Sequence, residues 1–384
     1  MSDIDAVLRR AVEKGEVPGL VASAATPERV IYEGAFGRRN LAEPAPMDMR
    51  TVFRIASMTK AVTAAAAMQL VEEGRLALDQ PAGEIVEGLA APKVLEGFDA
   101  AGRPRLRPAR RAVTLRNLLT HTSGFGYDVW NAELLRYHQE TGLPAARTGK
   151  LVSLTAPLTF DPGTRWQYGI GIDWAGQMVE AVTGKDLETV FRERLFAPLK
   201  MPDTGFVAHP DMLARFATVH ARKPDGLRPL DLPINPPREF FAGGGGLHST
   251  PRDYMRFLRM LLGGGALDGA RVLRAETVAL MARNHMGDID VEPMLSAVAA
   301  SSNDVELFKG TRKKWGLSFL INTEAVPGGR SAGSLAWAGL NNTYYWIDPT
   351  RKVAGALFTQ ILPFADPLVL NLLDDFEQAV YRSL

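Results

Sequence analysis

A chain of 384 residues with 46% apolar and 23% charged residues has the makeup of a folded globular protein, long enough for two or three domain-sized units or one large domain with an inserted lobe. Its formal net charge of +1 supplies no global field that would recruit nucleic acid or an anionic membrane. The absence of cysteine excludes disulfides, thiolate zinc sites, iron–sulfur clusters and cysteine nucleophiles together.

The opening stretch MSDIDAVLRRAVEKGEVPG has Ile4, Val7, Leu8, Ala11 and Val12 at helical spacing and no apolar core of signal-peptide length. An amphipathic helix and a cytoplasmic protein are therefore expected. GLVASAAT and RVIYEGAFG predict two strands joined as a hairpin at Pro27-Glu28. A helix follows that carries Ser57 in its first turn and Lys60 one turn further on, with Gly74 as its C-terminal cap. The apolar run 61–71 in that helix is too short to span a bilayer.

Residues 75–240 alternate short helical segments such as TLRNLLTH and DWAGQMVEAVTG with Pro- and Gly-rich loops, and predict an inserted, mainly helical lobe with cleft-covering loops. Arg103, Arg105, Arg107, Arg110 and Arg111 surround a turn at Ala101-Gly102. With no aromatic residues interleaved for base stacking, they read as an exposed hairpin rather than a nucleic-acid patch. Beyond Gly243, STPRDYMRFLRMLL predicts a helix, and WGLSFLINTE, SLAWAGLNNTYYWIDP and KVAGALFTQ are three strand-like runs. The last helix lines up Val369, Leu372, Leu373, Phe376 and Val380 on one face. This order predicts an α+β fold whose antiparallel sheet is completed by both ends of the chain. Residues 1–74 and 241–384 form one unit and 75–240 the lobe.

Several chemical signals fail on context. Gly329-Arg330-Ser331-Ala332-Gly333 matches Gly-x-Ser-x-Gly, but a nucleophile elbow needs a helix after the serine and a later histidine. Here a strand follows and the last histidine is His285, so Ser331 reads as a turn residue. His121, His138, His209, His220, His248 and His285 show no metal-ligand spacing, and no metal or cofactor is expected. His121 reads as support for its loop. Asp288, Asp290 and Glu292 lack the rest of a calcium loop, and the glycines 243–246 lack the Lys-Ser/Thr of a phosphate loop.

Ser57 and Lys60 remain. Residues i and i+3 share a helix face, so the Lys60 amine can reach the Ser57 hydroxyl and serve as its base. The positive end of the helix and burial among Ala61, Ala64 and Met68 would both lower the lysine pKa. The backbone N–H of Ser57 points outward as half of an oxyanion hole. Four residues alone are also compatible with an N-cap serine and a surface lysine. Tyr168, in a Gly-rich turn ahead of a helix, can face a cleft. The small residues in Trp337-Ala338-Gly339 would let a substrate approach a strand backbone.

Ser57-Met58-Thr59-Lys60, Tyr168-Gly169-Ile170 and Trp337-Ala338-Gly339, with LLTHTSGF, FDPGTRWQY and GGGGLHSTPRDYMRFL between them, resemble the serine β-lactamase and penicillin-binding-protein superfamily. The likeness spans nearly the whole chain and is greatest to the class C-like family VIII carboxylesterases. It implies a site between sheet and lobe, with Ser57 acylated, Lys60 as general base, and Tyr168 relaying the proton. The backbone N–H groups of Ser57 and Leu340 would form the oxyanion hole. It leaves open whether Lys60 or Tyr168 takes the first proton.

The family's β-lactamases carry Tyr-x-Asn and Lys-Thr-Gly, where this chain has Ile170 and Trp337. Loss of that cation removes the anchor for a drug carboxylate and leaves more of the stabilisation of tyrosinate to Lys60. The expectation is a serine carboxylesterase for short-chain neutral esters, with weak β-lactamase side activity, an alkaline optimum, and a substrate pocket that includes Tyr127, Trp130, Ile170, Trp337, Ala338 and Gly339. Alternatives are an amide or D-amino-peptide hydrolase, a β-lactamase, an acyltransferase on the same site, or a non-catalytic binding relative. The partner is a small-molecule ester, and monomer and homodimer are equally open.

Overall fold

The computed structural model describes residues 3–384. Seven antiparallel strands form its central sheet, in the spatial order Lys313–Trp315, Leu320–Asn322, Leu335–Gly339, Thr343–Asp348, Val353–Phe358, Gly19–Ala25 and Val30–Gly37. The two ends of the chain meet where Val21 pairs with Phe358 and Ala25 with Ala354. The predicted hairpin at Pro27-Glu28 closes the outer edge, with Ser23 opposite Glu33.

Two of the three strand-like runs are hairpins rather than single strands. WGLSFLINTE turns at Ser318, which has a left-handed φ of 78°, so that Trp315 pairs with Leu320. SLAWAGLNNTYYWIDP turns at Asn342 (φ 58°), and Gly339 pairs with Thr343. Asparagine tolerates this conformation, and its side-chain amide donates to the carbonyls of Ile361 and Pro363, which pins the turn.

Period-two alternation sorts the side chains of Thr343–Asp348 onto two faces. Trp346 packs on Phe376 of the C-terminal helix Pro367–Arg382, which lies beside the N-terminal helix Asp3–Glu13. Tyr345 faces the other way, onto Tyr254 of the helix Pro251–Leu262. On this second side sits the helix Thr59–Glu72, buried at every position from Thr59 to Met68. It has no polar face because it lies between the sheet unit and the lobe helix Gly171–Thr183.

The segment 75–240 holds the helices Leu115–Leu119, Ala132–Thr141 and Gly171–Thr183 and the arginine-rich hairpin Lys93–Phe98 with Pro104–Pro108. It is not a self-contained body. One continuous apolar core runs through it and the sheet unit, and His220–Lys223 pairs in parallel with Ile361–Leu362. Among the described residues no helix is long and apolar enough to cross a membrane.

Candidate active site

The short strand Phe53–Arg54 pairs with His248–Ser249, Arg54 directly opposite His248. The chain then turns sharply: Ala56 has a φ of 42°, a left-handed conformation costly for a residue with a Cβ. Ser57 follows on a single 3₁₀ turn, Ala56–Met58, that runs into the helix Thr59–Glu72. Three contacts hold the turn. Tyr254 Oη donates to the Met58 carbonyl at 2.9 Å, and the Leu247 N–H donates to Thr59 Oγ1 at 3.1 Å. The Ile55 carbonyl lies so close to Gly339 that a Cβ there would meet it at 2.3 Å.

One turn on, Lys60 Nζ lies 3.1 Å from Ser57 Oγ, 3.1 Å from Tyr127 Oη and 2.5 Å from the Gly244 carbonyl. The amine also sits over the rings of Tyr168 and Tyr127, 4.7 and 5.2 Å from their centroids. Lys60 is 1% exposed, so it does not snorkel to water. Burial lowers its pKa to about 7 against the pull of Asp173, whose charge favours the ammonium.

Tyr168 is equally buried, and its hydroxyl accepts a hydrogen bond from Trp337 Nε1 at 3.0 Å. Burial raises its pKa, with the hydrogen bonds to Ser57 and Trp337 acting in the opposite direction. At neutral pH Tyr168 is a phenol and Lys60 is poised near its midpoint. Behind the tyrosine, the His121 ring lies 4.6 Å from the Tyr168 ring, centroid to centroid. The Gly169 N–H donates to His121 Nδ1 at 3.4 Å, and the Gln167 N–H to the His121 carbonyl at 2.9 Å. Burial keeps His121 neutral, and it supports the 167–169 turn.

Two groups in this cluster, Asp173 and the Gly244 carbonyl, escaped the sequence reading, and a third, Tyr127, has a second contact. Asp173, in the first turn of its helix, accepts from the Gly244 N–H at 2.8 Å. A Cβ on Gly244 would meet Asp173 Oδ2 at 2.6 Å, so the glycine run admits the carboxylate and lays its own carbonyl on Lys60. Burial raises the Asp173 pKa, opposed by Lys60 and the Gly244 N–H. A lone acid in the apolar turn Gly171-Ile172-Asp173-Trp174 was the available signal. Tyr127, expected to contact substrate, lines the cleft and is also a direct hydrogen-bond partner of Lys60.

Ser57 opens onto a cleft of about 370 Å³ lined by Tyr127, Trp130, Phe240, Leu340 and others. Trp130 is fixed by a hydrogen bond from its Nε1 to Ser302 Oγ and packs edge-on against Tyr127 and Tyr168.

Ile170, Trp337, Ala338 and Gly339 were expected to touch substrate, and none of them lines this cleft. Ile170 is 3% exposed and packs into the core at the start of the lobe helix. Trp337 spends its indole on Tyr168 and Trp315. Ala338 is buried, and the open side of Gly339 is filled by the Ile55 carbonyl rather than a ligand. Leu340, one residue further, is where this strand reaches the cleft. Ser331 lies elsewhere, in the turn before Leu335–Gly339, with its N–H bonded to Asp348. Among the described residues no group of His, Asp or Glu could hold a metal ion.

The beta-lactamase family pattern matches residues 4–378. The chain belongs to the β-lactamase family. It is 35% identical to monacolin J acid methylbutanoyltransferase of Aspergillus terreus, over 99% of this chain and 95% of the relative. It is 32% identical to lovastatin esterase of Penicillium rubens, over 99% and 98%. Simvastatin synthase from Aspergillus terreus superposes with a TM-score of 0.87 at 34% identity, covering 99% of this chain and 97% of that one. A family VIII carboxylesterase, at 20% identity and a TM-score of 0.70 over 100% and 97%, shares the fold. This β-lactamase-family chain is therefore an enzyme of the serine hydrolase and acyltransferase type.

Proposed function

We propose that the enzyme carries an acyl group from an ester, through an ester on Ser57, to a small-molecule alcohol, with water as the competing acceptor. The observation that carries this reading is the hold on Lys60, whose buried amine is aimed at Ser57 Oγ by Tyr127 and the Gly244 carbonyl.

The neutral amine takes the hydroxyl proton as Ser57 Oγ attacks the carbonyl carbon. Negative charge developing on the carbonyl oxygen is met by the backbone N–H groups of Ser57 and Leu340. Collapse breaks the bond to the leaving group, which is protonated by Tyr168. The tyrosinate is stabilised by the Trp337 indole N–H and regains its proton from the Lys60 ammonium. An incoming alcohol then loses its proton to the same pair and attacks the acyl-enzyme, and as the acyl–Oγ bond breaks the pair returns that proton to Ser57 Oγ. This order makes Lys60 the first base, because burial holds Tyr168 as a phenol.

Hydrolysis of short neutral esters is one outcome of this cycle. Relatives named for acyl transfer and for ester hydrolysis support both outcomes. The size of the cleft and its apolar wall of Trp130, Ile234, Pro236, Pro237 and Phe240 favour an acceptor larger than water, and one relative is named for acyl transfer to monacolin J acid.

The test is incubation with p-nitrophenyl butyrate, with and without a hydroxyl acceptor, following nitrophenol, free butyrate and the new ester. Transfer predicts that the acceptor diverts most butyryl into ester, that intact mass shows one acyl group on the enzyme, and that Ser57→Ala shows neither. If butyrate accounts for all product at saturating acceptor, the enzyme is an esterase alone.

A further inference from the structure

The turn that follows Gly339 reads Leu340-Asn341-Asn342, and the fold accounts for only the second of its two asparagines. Asn342 is fully buried and takes the left-handed conformation that reverses the chain. Its amide is saturated: Nδ2 donates to the carbonyls of Ile361 and Pro363, and Oδ1 accepts from Tyr344 Oη and the Asp366 N–H.

Asn341 is different. It is 7% exposed and lines the cleft beside Leu340. Its backbone carbonyl accepts from the Ile361 N–H at 3.1 Å and from Thr359 Oγ1 at 3.4 Å. Its side-chain amide bonds to none of the described residues, yet neither atom of that amide is sealed off by the protein. The left-handed residue of the turn is Asn342, so the backbone does not call for asparagine at 341. A buried amide is nearly always hydrogen-bonded, because leaving it unpaired costs free energy.

The same wall carries a second free group. Ser301 lines the cleft, its carbonyl accepts from the Phe364 N–H at 2.9 Å, and its hydroxyl bonds to none of the described residues. Asn341 and Ser301 thus flank one segment, 361–364. Trp130 packs against Phe364 of that segment and gives its Nε1 to Ser302, so an apolar ring adjoins the polar pair. An amide has no net charge with which to offset the lost hydration of an ion, and its match is a neutral polar group.

We propose that Asn341 recognises an uncharged oxygen of the substrate, a carbonyl or hydroxyl separate from the ester that reacts at Ser57, by donating to it from Nδ2. This deepens the acyl-transfer reading and rests on Ser57 being the acylated residue. Leu340 gives its N–H to the reacting carbonyl, and consecutive Cα atoms are only about 3.8 Å apart. The recognised oxygen therefore lies on a short acyl chain or on the near end of the alcohol.

The experiment uses ester pairs of matched shape in which a ketone replaces a branched carbon. On the acyl side these are the p-nitrophenyl esters of 4-oxopentanoate and 4-methylpentanoate. On the alcohol side they are 4-acetylphenyl and 4-isopropylphenyl butyrate. The ketone-to-hydrocarbon ratio of kcat/KM is compared between wild type and Asn341→Leu, so that intrinsic ester reactivity cancels. In at least one pair that ratio should fall about three- to tenfold, through KM, the effect of one neutral hydrogen bond. The pair that shows it identifies which part of the substrate carries the oxygen. Asn341→Asp keeps the size and turn preference of asparagine but has no N–H to donate, and it should lower the same ratio even if the leucine variant folds poorly.

Titration calorimetry of the four esters on Ser57→Ala, with and without Asn341→Leu, repeats the comparison without turnover. If both members of each pair change equally in both variants, or neither changes, the proposal is overturned and Asn341 is a turn residue. A ketone preference that calorimetry shows to be lost with Asn341, combined with no turnover of any ester by the wild type, would instead overturn the Ser57 reading and leave the recognition site standing.

Discussion

The indole N–H of Trp337 donates to the hydroxyl oxygen of Tyr168 across 3.0 Å. A lysine at this position would bring a full charge, visible both to tyrosinate and to a substrate carboxylate. The indole brings a neutral donor that serves the tyrosine alone. Trp337→Phe keeps a ring against Trp315 and removes the N–H. In steady-state kinetics on p-nitrophenyl butyrate, kcat should fall about ten- to hundredfold with little change in KM. A rise in KM at unchanged kcat would make Trp337 a binding residue instead.

The pH profile follows from Lys60. The amine must be unprotonated to accept the serine proton, and its pKa is about 7. Accordingly kcat/KM should rise about tenfold per pH unit below 7 and level off above it. The charge of Asp173 raises that pKa, so Asp173→Asn, which keeps an oxygen for the Gly244 N–H, should move the acid limb to lower pH. A limb that stays put in the variant would mean that Lys60 does not feel Asp173.

The same lysine weakens the fold. Its pKa in the folded enzyme lies below that of the unfolded chain, so between about pH 7 and the ordinary lysine value the unfolded state binds more protons. The destabilisation is complete below pH 7 and fades as pH rises. Lys60→Met should therefore be inactive yet more stable by roughly 1–2 kcal/mol at pH 6, with a smaller gain at pH 9. Urea unfolding at the two values checks the sign, and an equal gain at both would contradict it.

Gly339 is where the sheet touches the serine turn. A Cβ there would meet the Ile55 carbonyl and Thr343 Oγ1, each at 2.3 Å. Gly339→Ala should cost about 1–3 kcal/mol in chemical unfolding. It should also depress kcat, because the turn that yields is the one that places Ser57. A variant as stable and active as the wild type would show that the turn is not set by this contact.

Ser331 supplies the control for the nucleophile. Its turn precedes the strand Leu335–Gly339, at the end away from Gly339, and is tied to Asp348. Ser331→Ala should retain turnover within about twofold, whereas Ser57→Ala should reduce it to background. Loss of activity in Ser331→Ala alone would reassign the nucleophile.

Much of the fold was legible because it rests on local periodicity. The amphipathic terminal helices, the first hairpin and the Thr250-capped helix each carry their own pattern of apolar spacing and caps. The two missed hairpins take their left-handed residue at Ser318 and Asn342, neither of them a glycine, and the single Gly316 in the first connection is a weak signal on its own. The reach of Lys60 to Ser57 was also readable, since three residues on a helix fix it whatever surrounds them.

What the sequence by itself determined is the placing of Lys60 beside Ser57 and the order of the helices and the first hairpin, because these depend on spacing within one helix and on alternation along each strand. The tertiary structure alone decided which groups surround them. Tyr127, Gly244 and Asp173 lie 67, 184 and 71 residues from the partners they bond, Lys60, Lys60 and Gly244 respectively. Arg54 meets His248 only because two strands distant in the chain are paired. The charge state of Lys60, the tyrosine's donor and the polar groups of the cleft are set by burial and through-space contact, which no local pattern of residues encodes.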